Sequence, residues 1–245
     1  MSPKLKKKLI RTLKILVSLG LIVLVFSKLN WNEIGSLIPT IQPIYFLLAI
    51  LFFLISQLIS IFRFNLFIRK EGVRLSFKSN YQLYLLGMFY NFFLPGGVGG
   101  DAYKTFALSK SHKKSLKKIG KLVFLERFFG ILGIGFLLSF IVLSLQTEYS
   151  YFWNLAIFSF GIFMSYIVIQ LIIKYFDFSP KRIYLGFFYS ILIQLAQILS
   201  VVFILKSFSV QDNFLAYLLL FLISSVLSVV SFAGLGIREA VFFYG

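Results

Sequence analysis

Residues 81–101 read YQLYLLGMFYNFFLPGGVGGD, an apolar stretch that ends in a proline and four closely spaced glycines. The apolar part, Tyr81 to Leu94, is shorter than the roughly 20 residues that a helix needs to cross a bilayer. Arg74 and Lys78 precede it and Lys104 follows it. Because basic flanks lie in the cytoplasm, the pattern predicts a re-entrant hairpin that opens to that side, with its glycine tip inside the protein.

The composition of the whole chain is typical of a membrane protein. Of its 245 residues, 59% are apolar and 13% are charged, whereas soluble proteins average about 45–50% apolar residues. The chain has no Cys and one His, which excludes disulfides, thiolate metal sites and His-rich zinc or triad chemistry. We expect no enzyme, no cofactor and no metal; a membrane enzyme restricted to carboxylate chemistry is the weaker alternative.

Five apolar runs have the length of a membrane span, and a sixth ends in a glycine break. They are Leu9 to Leu29, Ile44 to Phe64, Ile119 to Leu145, Tyr151 to Tyr175, Tyr184 to Leu205 and Phe214 to Phe232. No small-residue cleavage site follows the first run, so we expect it to remain as a signal anchor. The predicted fold is an all-α polytopic helix bundle that forms a single transmembrane domain over residues 1–245.

The net charge of +17 comes from basic residues that cluster at the predicted span ends. They concentrate within residues 4–14, 63–78, 104–121 and 174–182. By the positive-inside rule, we expect these clusters and the N-terminus to lie in the cytoplasm. Since the clusters belong to span ends and no soluble basic module is present, we expect no nucleic-acid partner.

A second glycine break lies at residues 232–240, which read FAGLGIREA. Like the first break, it has a Gly-x-Gly followed by an acidic residue and Ala. Three spans separate the two breaks, so they enter from opposite sides, as in an inverted repeat with halves of about 1–110 and 119–245. The alternatives are that each break is a packing or kink site, and that Phe214 to Phe232 crosses fully.

Five charged residues fall at predicted membrane depth: Asp101, Glu126, Arg127, Arg238 and Glu239. A charge at the bilayer centre costs at least about 2.5–3.5 kcal/mol, so such residues normally face the protein interior and mark a transport path. We expect Asp101 and Arg238 to approach each other across the hairpin tips. In the alternative, Asp101 only caps the helix that follows it, while Arg238 snorkels or pairs with Glu239.

Glu126 and Arg127 are adjacent, so on a helix their side chains point about 100° apart. They therefore have different partners, and we expect one of them to contact a hairpin. A position near the headgroups is the alternative for this pair.

Backbone N–H groups in a glycine-rich turn before a helix attract anions, phosphate included. A lipid phosphate would suit the tips. An ionised Asp101 opposes this unless Lys104 or Arg238 neutralises it.

In three motifs the chain resembles a family of flippase-like membrane proteins, the transmembrane region of lysylphosphatidylglycerol synthase. The motifs are Asn91-x-x-Leu94-Pro95 with Gly99-Gly100-Asp101, Leu125-Glu126-Arg127 with Gly130, and Gly234-Leu235-Gly236-Ile237-Arg238-Glu239. Lys104 fills the place of a basic residue that follows the acidic one in the first motif.

The resemblance implies a helical bundle with two re-entrant segments that moves a lipid between leaflets. The lipid is an anionic phospholipid, an aminoacylated phospholipid or a polyprenyl-phosphate carrier. The implied path is lined by the following residues: Asn91, Pro95, Gly99, Gly100, Asp101, Lys104, Glu126, Arg127, Gly234, Gly236, Arg238 and Glu239.

The soluble synthase domain of that family does not follow in this chain, so we expect no lipid synthesis. Helices that usually follow the third motif are also absent from the sequence, which suggests truncation or a protein partner or oligomer that completes the bundle. A non-transporting subunit or scaffold of an envelope-lipid synthesis complex is therefore the second hypothesis.

Overall fold

The computed structural model of the protein describes residues 31–93, 99–144, 151–210 and 213–230. Within these ranges the chain forms eight α-helices and no strand. The helices are α1 (Trp31–Leu37), α2 (Pro43–Ile68), α3 (Phe77–Phe93), α4 (Gly99–His112), α5 (Leu116–Ser144), α6 (Tyr151–Phe176), α7 (Pro180–Ser207) and α8 (Phe214–Val230). Short 3-10 turns, Ile38–Thr40 and Arg69–Glu71, lie on either side of α2.

Four of these helices, α2, α5, α6 and α7, are long and apolar enough to cross a membrane. They confirm four of the predicted spans; the first predicted span, Leu9 to Leu29, lies outside the described residues. Proline stands at the start of both α2 and α7, where its fixed φ suits the first helical turn. The predicted all-α polytopic membrane fold is therefore confirmed.

The outward faces of the bundle carry large apolar side chains. On α6, Phe152, Trp153, Phe160 and Phe163 are each more than half exposed. A water-soluble protein rarely exposes so large a contiguous apolar surface. These side chains therefore suit contact with lipid.

The centre of the bundle is an antiparallel pair formed by α2 and α7. The Gln42 N–H donates to the Ser207 carbonyl at 2.9 Å, and the Ser200 hydroxyl donates to the Ala49 carbonyl at 2.8 Å. Small buried residues such as Ser56 line the α2 side of this interface. In a bilayer the hydrophobic effect does not drive helices together, because the lipid tails are themselves apolar. Close packing at small residues and interhelical hydrogen bonds therefore hold such a pair together.

An aromatic core lies where α2, α5 and the start of α7 meet. The rings of Phe67 and Phe129 are 4.9 Å apart, and Phe178 packs against Phe67 edge-on. Gly186 on α7 makes room for this core, since a Cβ there would lie 2.6 Å from the Phe67 ring.

Helices α3 and α4 form an antiparallel hairpin in which Tyr90 stacks on Tyr103 at 4.4 Å. α3 begins at Phe77, earlier than the predicted apolar stretch, because the Ser76 hydroxyl accepts the N–H of Ser79 and caps the first turn. With 17 and 14 residues, the helices are about 25 and 21 Å long, less than the roughly 30 Å hydrocarbon core. These lengths fit the predicted re-entrant hairpin, whose turn at 94–98 lies outside the described residues.

The connections predicted to be cytoplasmic gather at one end of the bundle. Lys70 donates to the carbonyl oxygens of Phe176 and Asp177, and Lys118 lies 3.8 Å from Glu71. The segment after α2, the first turn of α5 and the segment after α6 are therefore neighbours. The contact of Gln42 with Ser207 marks the opposite end.

The sixth apolar run forms α8, a helix of 17 described residues that packs on α5 and α7. The second glycine break, residues 232–240, lies outside the described residues. The inverted repeat and its two halves therefore stay a prediction.

Candidate functional site

Five charged side chains from α2, α4 and α5 come together where the hairpin meets the bundle. They are Arg63, Asp101, Lys104, Glu126 and Arg127, called here the charge cluster. Arg63, Lys104 and Glu126 are only 5–6% exposed, and the side chains of Asp101 and Arg127 are 14% and 23% exposed. Buried charges of this kind need partners, and the cluster supplies them.

Arg63 and Glu126 form the most deeply buried ion pair. Arg63 Nη2 donates to Glu126 Oε1 at 2.8 Å, while its Nη1 donates to Ser190 Oγ at 2.8 Å. The Tyr84 hydroxyl donates to the same carboxylate oxygen at 3.2 Å. One carboxylate on α5 thereby connects α2, α3 and, through Arg63, α7.

The neighbouring Arg127 pairs with Asp101 in the first turn of α4. Glu126 and Arg127 thus have different partners, as their spacing predicts. One of them was expected to contact a hairpin, and in the structure both do, Glu126 on α3 and Arg127 on α4. Asp101 is therefore more than a helix cap. Its predicted approach to Arg238 lies outside the described residues.

Lys104 lies between the two ion pairs. Its side chain crosses Gly87, and its Nζ lies 3.7 Å from the centroid of the Tyr84 ring and 5.2 Å from that of Phe64. Glu126 and Asp101 are both within electrostatic range of it. None of the ion pairs among the described residues includes Lys104.

The two hairpin helices approach each other most closely at Gly100. The Gly100 N–H donates to Asn91 Oδ1 at 2.8 Å, and a Cβ at Gly100 would lie 2.1 Å from the Gly87 carbonyl oxygen. Asn91, Gly99 and Gly100 were predicted to line the substrate path. In the structure Gly99 and Gly100 are buried, and because Asn91 occupies the Gly100 N–H, this donor is not free for an anion.

Three contributors to the site escaped the sequence analysis: Arg63, Tyr84 and Ser190. Arg63 was interpreted as the first residue of a cytoplasmic basic loop, and this is wrong because α2 continues to Ile68 and buries it. Lys104 was also counted among the cytoplasmic basic residues, yet it is buried. A signal for Arg63 did exist, since Ser56, Ser60 and Arg63 follow the i, i+4, i+7 spacing of one helix face.

The remaining predicted path residues cannot be placed in the site. Pro95, Gly234, Gly236, Arg238 and Glu239 lie outside the described residues. Within the part of the chain that the structure describes, no group of three or more His, Cys, Asp or Glu residues is arranged to hold a metal ion.

The charge cluster can hold a charged group inside an apolar bundle. Its members come from helices of both the hairpin and the central bundle, so a change in the position of the hairpin changes the distances within the cluster. With three basic and two acidic side chains, its described part has a formal net charge of +1, counted with all five groups ionised.

Comparison with protein families matches residues 11–179 to the family described as the lysylphosphatidylglycerol synthase TM region. This match covers more than half of the chain and includes the motifs around Asp101 and Glu126. No curated protein and no solved structure shows a significant similarity. The chain is thus a multi-pass membrane protein of lipid metabolism or transport that belongs to the lysylphosphatidylglycerol synthase transmembrane-region family.

Proposed function

We propose that the chain is a flippase-like transporter that moves a lipid or lipid-linked substrate between the leaflets of the bacterial inner membrane. The observation that carries this proposal is the buried charge cluster, in which Arg63, Lys104 and Glu126 lie inside an apolar bundle. Charges at membrane depth are costly and typically serve a substrate path. A headgroup that enters the cluster can leave its acyl tails in the bilayer.

The contacts around the hairpin suggest how the headgroup would move. α2 and α7 pack closely along their length, with hydrogen bonds at several levels. The hairpin packs on this bundle through an apolar core to which its Leu83 and Leu108 contribute. It also makes polar contacts with the bundle, those of Tyr84 with Glu126 and of Asp101 with Arg127 among them. Polar contacts can exchange partners, and the hairpin carries Asp101 and Lys104 of the charge cluster. We therefore take the hairpin as the moving part.

The proposed substrates are an anionic phospholipid, an aminoacylated phospholipid or a polyprenyl-phosphate carrier. We further propose that the chain is not an enzyme, uses no cofactor and has no nucleic-acid partner. The single His and the lack of Cys support this, because they leave few groups for covalent or metal chemistry.

A second candidate is a non-transporting membrane subunit or scaffold of an envelope-lipid synthesis complex. The observation in its favour is that both carboxylates of the cluster, Glu126 and Asp101, are already paired within the chain. A rigid scaffold would use such pairs to hold its helices together. In that case a protein partner or a second copy would complete the bundle.

The proposed topology places the N-terminus and the open end of the hairpin in the cytoplasm. Because the chain lacks Cys, single Cys residues at Ser76, Lys117 and Ser209 can be labelled with an impermeant thiol reagent. All three positions are exposed. Ser76→Cys and Lys117→Cys should react only from the cytoplasm, and Ser209→Cys only from outside.

A Cys at position 98 tests the depth of the hairpin in the same assay. We expect Val98→Cys to resist the reagent applied from outside, because a re-entrant tip ends within the protein. Labelling of this variant from outside, at the level of Ser209→Cys, would show that the hairpin crosses the membrane and would contradict re-entry.

Transport itself is tested with headgroup-labelled lipids in proteoliposomes that contain the full chain. We expect protein-dependent movement across the bilayer, reduced about tenfold or more in Asp101→Asn, since losing about 1.4 kcal/mol of interaction lowers a rate tenfold. Asp177→Asn is the matched control, because its carboxylate is fully exposed in a loop outside the cluster. No movement of any lipid by folded protein would favour the scaffold instead.

A further inference from the structure

We propose that the charge cluster selects a lipid headgroup with one net negative charge on a phosphate, and that Lys104 binds this phosphate. The inference rests on the proposed lipid transport and narrows its substrate class. Of the substrates proposed above, it favours anionic phospholipids, whose phosphodiester carries one negative charge, over aminoacylated lipids. A polyprenyl phosphate is a phosphate monoester with a charge of about −1.5 to −2 at pH 7, so it fits a single charge less well.

Among the described residues, the pairing within the cluster leaves one cation, Lys104, for a ligand. Among the described residues, Arg63 holds Glu126 and Arg127 holds Asp101. Lys104 is as deeply buried as Arg63 but has no carboxylate within ion-pair distance in the described part of the chain. A bound anion with one negative charge would balance the net positive charge of the cluster.

A cationic headgroup would find no unpaired carboxylate among the described residues of the cluster. Its ammonium would need a carboxylate, and both carboxylates of the cluster already accept from arginine side chains. It would also add a positive charge beside Lys104, Arg63 and Arg127. A zwitterionic headgroup carries a phosphate, but its ammonium group would also need a carboxylate partner. The cluster therefore disfavours both in comparison with an anion.

Two aromatic rings face the Lys104 ammonium without neutralising it. The faces of Tyr84 and Phe64 attract the cation through their quadrupoles. Gly87 has no side chain, which leaves space for the lysine stem across α3. An ammonium held in this way binds phosphate as a point charge, the usual role of lysine at phosphate sites.

Access to Lys104 depends on the hairpin. Since the residue is 6% exposed, a headgroup reaches the ammonium only when the hairpin shifts relative to α5. Tyr84 lies on the hairpin and contacts both Lys104 and Glu126, so the same shift changes the contacts on both sides of the binding position. Entry of the anion and movement of the hairpin are therefore linked.

The test is a binding measurement on the purified full chain in detergent, with fluorescently labelled phosphatidylglycerol, phosphatidylcholine and lysylphosphatidylglycerol as probes. We expect phosphatidylglycerol to bind about tenfold or more tightly than the other two. Lys104→Met should abolish this preference. Lys110→Met is the matched control, because it removes the same charge from an exposed position on the same helix, and it should bind like the native chain.

Several outcomes would overturn the inference. Equal binding of the three lipids by the native chain, or tightest binding of lysylphosphatidylglycerol, contradicts anion selection without the use of any variant. An unchanged preference in folded Lys104→Met contradicts the role of Lys104. Displacement of phosphatidylglycerol by equimolar inorganic phosphate would show that the site takes free phosphate rather than a lipid headgroup.

The transport assay separates this inference from the proposed function. Selective binding of phosphatidylglycerol without its movement across proteoliposomes would support the anion site and contradict the transporter. Movement of lysylphosphatidylglycerol alone would support the transporter and contradict anion selection.

Discussion

Glu126→Leu is expected to destabilise the protein by about 3–5 kcal/mol, because it leaves the Arg63 guanidinium buried without a counter-ion. Tyr84 loses its acceptor in the same variant. In a domain of this size such a loss corresponds to a melting temperature about 10 °C lower. The measurement is thermal unfolding of the purified protein in detergent, followed by loss of the monomer peak in size-exclusion chromatography.

The double variant Arg63→Met with Glu126→Leu is the informative control. It removes both charges together, and replacing a buried ion pair by apolar side chains is often close to neutral in stability. Ser190 keeps its bond to the Gly186 carbonyl at 2.8 Å, so it is not left without a partner. We expect most of the lost stability to return. A double variant as unstable as Glu126→Leu would contradict the unpaired charge as the cause.

Gly100→Ala is expected to separate the hairpin helices and to lower stability by about 3 kcal/mol, at the upper end of the usual cost of overpacking. The new Cβ would lie 2.1 Å from the Gly87 carbonyl oxygen and 2.8 Å from Asn91 Oδ1. The first of these atoms belongs to the backbone, so α3 itself has to move. The yield of folded monomer and its melting temperature measure the effect.

Gly135→Ala serves as the control for Gly100→Ala. A Cβ at Gly135 on α5 would have no atom within 4 Å, and alanine is the better helix former by about 1 kcal/mol. This variant should be at least as stable as the native chain. If Gly100→Ala matched it, the close contact between the two hairpin helices would not limit stability.

The membrane spans were predictable because they depend on local properties of the chain. A run such as Tyr184 to Leu205 is apolar over the length of a bilayer, and the structure contains it within α7. The helix ends were predicted less accurately, since they depend on capping and on the prolines that begin α2 and α7. The end of α2 is the error that affects the site, because α2 continues past the predicted end at Phe64 to Ile68 and Arg63 is buried within it.

That α3 and α4 lie against each other as a hairpin was predictable for a related reason, whereas the re-entry of this hairpin into the membrane stays a prediction. An apolar stretch that is too short for a membrane span, with basic residues on both sides and glycines at its end, favours a chain that turns back over one that crosses the bilayer. What its glycines do was less predictable. Gly100 was expected to help bind an anion, and in the structure it brings two helices together and gives its N–H to Asn91.

The sequence by itself determined that this is an all-α polytopic membrane protein, since the length and composition of local segments decide this. Only the tertiary structure decided which charges pair. Arg63 and Glu126 are 63 residues apart in sequence, and they meet because α2 and α5 turn the corresponding faces toward each other. The rotation and packing of whole helices set such pairs, and no local pattern encodes them. The same packing leaves Lys104 between two completed ion pairs.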